Sequence, residues 1–236
     1  MGGRGAGSSI AKASRLAGRT EEQNRAIEKL VKMTANLKKE QYRIIDSEGN
    51  VILEKKGKEH EVSATVGEKR ENLSGNISLH NHPNGGTFSS ADIKDFGYGA
   101  KEITVASPEG EYRLVNKEFG TRKQYDGWQG LKNGLENIKQ QGSIDRLKQA
   151  QKNVSNTKTA KQLKAINDKF LKIQKSKGND AAVAYAQTIT EKYHKLSEQY
   201  HKEVQKENRR LEVQPYHDYL KANASKYGFK YQFVKK

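Results

Sequence analysis

The sequence predicts an α+β domain, or a three-layer α/β one, that closes near residue 120 and is followed by a mainly α-helical basic region. Three observations carry this reading. Up to about residue 120, stretches of helical period alternate with short β-rich runs bounded by turn residues, the order being helix, strands, helix, strands. Charge is unevenly divided: residues 1–120 hold 19 Lys and Arg against 17 Asp and Glu, whereas residues 121–236 hold 25 against 11. Hydrophobic residues make up only 33% of the chain against 31% charged, a balance that suits an extended, solvent-rich molecule better than one large core.

Residues 1–19, opening MGGRGAGSS, are expected to form a flexible Gly-rich arm. Met-Gly at the start invites myristoylation, but Ala6 stands where that pattern needs Ser or Thr. The arm lacks the apolar core of a secretory signal, and no apolar run approaches the roughly 18–20 residues of a membrane span, so the expectation is an intracellular protein with no membrane partner. Apolar positions at Ile27, Leu30 and Val31 predict a helix over 21–37 behind a Thr20 cap. QYRIIDSEGNVILEK reads as a hairpin with Gly49 free to take positive φ, and GNISLHNHP as a strand stopped by Pro83. SSADIKDFGYGA is a short Ser-capped helix, and KEITVASPEGEYRLVN a second hairpin turning through Pro108-Glu109-Gly110.

The second half, 121–236, is Lys- and Gln-rich. Trp128, Leu131, Leu135 and Ile138 form one apolar stripe, read as helical but not convincingly a core. Asn179-Asp180 caps a long helix through about Arg210, in which Tyr-His-Lys recurs after seven residues, placing Tyr193 and Tyr200 on one face and His194 and His201 on a neighbouring one. Pro215 is expected to start a last helix ended by Gly228, with FKYQFV closing the chain as a strand.

The sequence contains no cysteine, so any metal must sit on His and carboxylate ligands. Alternate side chains of a strand share a face, which would project His80 and His82 together and Asn81 to the other side. After Pro83 and the Asn84-Gly85-Gly86 turn, Ser89 begins a helix whose first turn holds Asp92, and a carboxylate there can be aimed back at the same point. Two imidazoles and one carboxylate leave a fourth tetrahedral position for water, the open arrangement of a catalytic zinc site.

His80-Asn81-His82-Pro83 followed by Ser89-Ser90-Ala91-Asp92 resembles the JAMM (MPN+/JAB) metalloprotease motif, which is a Glu, then His-x-His, seven residues and Ser-x-x-Asp. The likeness covers roughly residues 20–120 and is nearest to RadC-like and phage-associated bacterial branches. Here six residues rather than seven separate His82 from Ser89, which leaves Ser90 as a competing serine. The resemblance implies a cytidine-deaminase-like JAB fold and a zinc metallopeptidase cleaving a peptide or isopeptide bond in a protein substrate. It also implies a bacterial cytoplasmic or virion-associated setting. In that scheme His80, His82 and Asp92 hold Zn²⁺, Glu40 is the general base and Ser89 helps stabilise the oxyanion. Glu40 is chosen because it precedes Tyr42, Ile44 and Ile45 after the first helix, with Glu48, Glu59 and Glu61 as rivals.

The remaining histidines offer less. His60 lies in a charged run, and His194, His201 and His217 in Tyr-rich helical contexts suit packing or an exposed edge. Seven residues span roughly 10 Å of helix, too far for His194 and His201 to share an ion. The basic half, with tyrosines 193, 200, 216, 219, 227 and 231, fits nonspecific DNA or RNA contact through phosphates and stacking, or a soluble arm docking an acidic protein. No helix-turn-helix, RNP or zinc-finger pattern supports specific readout. The alternative to an enzyme is therefore a phage or mobile-element structural or DNA-interacting protein that keeps a JAB-like fold.

Overall fold

A computed structural model describes residues 18–58, 62, 64–83, 85–138 and 142–235. Most of the expected N-terminal arm, together with Glu59, His60, Glu61 and Asn84, lies outside the described residues. The chain divides into two compact units, residues 1–138 with 215–236, and residues 139–214.

The first unit is a mixed α/β domain built on a six-stranded sheet. Helix α1 (Glu21–Thr34) begins with a capping box in which Thr20 accepts from the Gln23 amide and Gln23 reaches back. It stops three residues short of the expected end, where the Ala35 amide caps onto Val31 and a turn follows. Strands β1 (Gln41–Ile45) and β2 (Val51–Lys56) form the expected hairpin, with Gly49 at φ +85°. Helix α2 (Val66–Asn72) then intervenes, an element the sequence reading omits although Thr65 and Glu68 make the T-x-x-E box that marks a helix start. Strand β3 (Ile77–Asn81) leads into a crossover made of α3 (Ser90–Ile93) and a 3₁₀ turn (Lys94–Tyr98). Strands β4 (Glu102–Ser107) and β5 (Gly110–Asn116) follow as the second expected hairpin.

The strand order is β2-β1-β3-β4-β5-β6, with β3 and β4 the parallel pair and the other neighbours antiparallel. On one face Ile27, Val31 and Ala35 of α1 and its cap pack on Ile45, Ile77, Leu79 and Ala106. The other face is larger: Tyr42, Ile44, Ile103, Val105 and Leu114 meet Phe88, Ile93 and Phe96 from the crossover. A sheet covered on both faces is thereby closed around a parallel β3–β4 step, whose crossover starts at the carboxyl end of β3.

Two elements differ from the sequence reading, and the expected last strand joins the first unit. Helix α4 (Trp128–Glu136) is in the core, because Leu131 and Leu135 are fully buried against the larger sheet face. Pro215 does not start a helix. It lies inside α7 (Asn179–Asn223), at the point where the chain passes from the second compact unit back to the first. Strand β6 (Phe229–Lys235), reached through a 3₁₀ turn (Ala224–Tyr227) and Gly228, pairs with β5 over its whole length. The first unit accordingly extends past residue 120 to Ile138 and takes in Pro215–Lys236.

In the second unit, α5 (Ser143–Val154), α6 (Lys158–Lys177) and α7 up to Gln214 follow one another. Ala150 and Val154 pack with Val204, Tyr200 and Leu211. Tyr200 is thus a packing residue, whereas Tyr193, His194 and His201 are exposed.

Candidate metal centre

The carboxyl end of β3 carries the site. In antiparallel register Tyr42 of β1 faces His80, and on the other side His80 faces Val105 of β4. His82 lies just beyond the strand but keeps the ladder, its amide donating to the Ala106 carbonyl at 2.9 Å. With the backbone still extended, the two imidazoles leave the same face, and their Nε2 atoms stand 3.0 Å apart. Asn81 turns the other way, as the alternation of a strand requires. Its Oδ1 accepts from the Gln41 amide at 2.7 Å and its Nδ2 donates to the Lys39 carbonyl at 3.1 Å. One side chain therefore holds the backbone on both sides of Glu40.

Asp92 arrives from the crossover helix. Ser89 is the N-cap of α3, its Oγ accepting from the Asp92 amide, while Asp92 Oδ2 accepts from the Ser89 amide at 2.7 Å and from the Ser89 hydroxyl at 2.8 Å. This capping box fixes the carboxylate with Oδ1 3.2 Å from His80 Nε2 and Oδ2 3.8 Å from His82 Nε2. A cap and a ligand arrangement are here the same structure. Ser90, the competing serine, hydrogen-bonds Glu136. His80, His82 and Asp92 are the one group among the described residues whose donor atoms converge closely enough to hold a metal ion. Ligands at zinc distances of about 2.0–2.2 Å in a tetrahedron stand about 3.3 Å from one another, and the three contacts bracket that spacing. His80 is buried and the other two are partly exposed, so the centre opens on the side of His82 and Asp92.

The electrostatics suit a cation. Burial would raise Asp92, but the charges and hydrogen bonds of His80 and His82 and the Ser89 amide hold it far below the ordinary carboxylate range. Burial would lower His80; Asp92 first, then Asp95 and Glu40, reverse the direction and raise it. His82 is pushed down to about 4 by burial and by the charge on His80, so its ring is neutral near pH 7. A neutral imidazole and an ionised carboxylate are ligand-ready forms. The backbone of Gly86 and Thr87 hydrogen-bonds the His82 ring. A Cβ at 86 would sit 3.0 Å from His82 Nδ1, a tight contact that glycine avoids. Nδ1 of His80, by contrast, is buried with no hydrogen-bond partner. That ring is held instead by stacking on Tyr42, with centroids 6.3 Å apart.

Among the expected general bases, Glu40 lies immediately before β1, with its amide donating to Lys58 and its carbonyl accepting from Gly57, both at 2.9 Å. It is half-buried, and its charge acts on His80. Extending the β1–β3 register by two residues sets it opposite His82. Glu48 lies at the far end of the hairpin, in the turn closed by Asp46 and Asn50. The sequence reading missed the support of the site. Tyr42 donates its hydroxyl to Asp95 Oδ2 at 2.9 Å, and Lys69 meets Oδ1 of the same buried carboxylate at 2.7 Å. No local pattern signals this trio, which comes together only through the register of β1, the crossover and α2.

Comparison of the chain with family models, with curated proteins and with solved structures returns no match.

Proposed function

We propose that the first unit is a zinc-dependent metallopeptidase of JAMM type, with a cytidine-deaminase-like JAB fold, acting on a peptide or isopeptide bond of a protein substrate. The observation that carries the reading is the convergence of His80 Nε2, His82 Nε2 and the Asp92 carboxylate, with contacts of 3.0, 3.2 and 3.8 Å, at the open carboxyl end of β3. A zinc ion bound there supplies a Lewis acid and lowers the pKa of a water toward about 7. The chain's own residues do the rest. Glu40 takes the proton of the attacking water and returns it to the leaving amine, a role suited to a half-buried carboxylate near His80. Asn81 keeps Glu40 in place through the flanking backbone. Ser89 presents a hydroxyl at the rim, where exchanging its bond to Asp92 for one to a developing oxyanion stabilises that charge. Glu40→Gln is expected to retain the metal and to lower hydrolysis of a cleavable protein substrate by about 10²–10⁴-fold. Undiminished turnover in that variant would remove the role from Glu40.

A second reading rests on a separate observation, the lysine face of α6. At about 100° per residue, Lys158, Lys161, Lys164, Lys169, Lys172 and Lys175 fall within an arc of about 140°. All six are exposed, and none forms an ion pair among the described residues. That stripe fits nonspecific contact with a phosphate backbone, the property expected of a phage or mobile-element protein handling DNA.

A further inference from the structure

Three side chains from three parts of the sequence meet beside the candidate metal centre. Tyr231 of β6 is largely buried, and its hydroxyl lies 2.9 Å from Thr87 Oγ1 and 2.7 Å from His217 Nδ1. His217 stands on the part of α7 that follows Pro215, and Thr87 is in the loop between His82 and α3. All three belong to the first compact unit. Thr87 is buried, and its backbone, with that of Gly86, hydrogen-bonds the His82 ring. The Tyr231 ring packs edge-on against Phe88, the next residue of the same loop, and His217 is flanked by Tyr112 and Phe233.

The Thr87 and Tyr231 hydroxyls share one hydrogen bond, and burial raises the phenol above its ordinary value. Burial keeps His217 below its ordinary value, and its Nδ1 shares the second hydrogen bond of the Tyr231 hydroxyl. One hydroxyl thus links a residue touching a ligand imidazole to a histidine more than a hundred positions away in sequence.

We propose that Tyr231 and His217 are positioning residues for the metal centre, fixing Gly86, Thr87 and Phe88 through the Thr87 hydroxyl and hence the orientation of the His82 imidazole. This rests on the reading of His80, His82 and Asp92 as ligands, and makes the C-terminal segment part of the site. Outer partners of ligating histidines commonly carry 10- to 100-fold in metal affinity.

The test uses the full chain, zinc alone as titrant against a chromophoric chelator, and Co²⁺ as a spectroscopic stand-in. Tyr231→Phe removes one oxygen and keeps the packing on Phe88. It is expected to weaken zinc about tenfold and to change the visible Co²⁺ band. Thr87→Val should repeat that loss, and Thr87→Ser, which restores a hydroxyl, should recover wild-type affinity. Wild-type affinity and an unchanged Co²⁺ band in both Tyr231→Phe and Thr87→Val overturn the proposal, even if melting temperatures fall, because the network would then serve folding alone. If the wild-type chain itself takes up no zinc, the metal reading falls and this inference with it, a result distinct from any variant-specific one.

Discussion

At Glu102 two guanidinium groups meet one carboxylate in a space closed to water, with Glu111 beside them. Arg113 donates to both carboxylate oxygens at 2.9 and 2.7 Å, Arg19 donates from its Nε at 2.8 Å, and Thr104 donates at 2.8 Å; all four side chains are buried. Burial would raise the Glu102 carboxyl, but Arg19 and Arg113 hold it below its ordinary value. A depressed folded value means a contribution to stability that is complete above the ordinary glutamate range and fades as pH falls through the folded value. Glu102→Gln leaves two buried guanidinium groups with only Glu111 to balance them and is expected to destabilise by about 3–5 kcal/mol at pH 7 in urea titrations. The gap to wild type should narrow on acidification; a gap constant from pH 7 to 3 would contradict the assignment. Nothing in the sequence marks this cluster, since it depends on the β4–β5 register that sets Arg113 opposite Thr104 and diagonal to Glu102. The His80-x-His82 pair was legible because strand alternation alone aims both rings one way. The clamp by Asn81 was not, because it depends on which strand lies beside β3.

Among the elements, α4 and β6 carry the largest difference between sequence and structure. The stripe of Trp128, Leu131, Leu135 and Ile138 has helical spacing, which the sequence displays, but spacing does not say what covers the stripe. Tyr219 and Tyr227 of the C-terminal segment supply part of the cover, and α4 approaches them closely at its glycines. A Cβ on Gly134 would lie 1.6 Å from the Tyr219 hydroxyl. Leu135→Ala, at a position with 1% exposure, is therefore expected to cost about 2–5 kcal/mol by chemical denaturation, as a core truncation does. A loss below about 0.5 kcal/mol would return α4 to the surface. The hairpins and the capped α1 were legible because turn glycines and capping boxes are local signals. The return of β6 to pair with β5 was not, since nothing near Phe229 records that its partner lies over a hundred residues back.

On the scale of the whole molecule, the division at Ile138 and Gln214 separates the candidate centre from the lysine face of α6. No helix among the described residues is long and apolar enough to cross a membrane. Within 139–214 there are 17 Lys and Arg against 8 Asp and Glu, so the basic excess read in the sequence is concentrated there. Cutting the chain at residue 121 would remove β6 from its sheet, so the polyanion reading is better tested by point changes. Lys161, Lys164 and Lys172 replaced together by Glu in the full chain should abolish duplex DNA binding at low salt, and the wild-type affinity should fall steeply with added salt. Equal binding by both proteins would leave the stripe as a solvated surface. The metal centre itself is tested most directly by zinc titration of the metal-stripped full chain beside the His80→Ala/His82→Ala variant. One zinc per wild-type chain at micromolar or tighter affinity, and none in the variant, is expected. Absence of stoichiometric zinc in the wild type, or equal uptake by the variant, would contradict it.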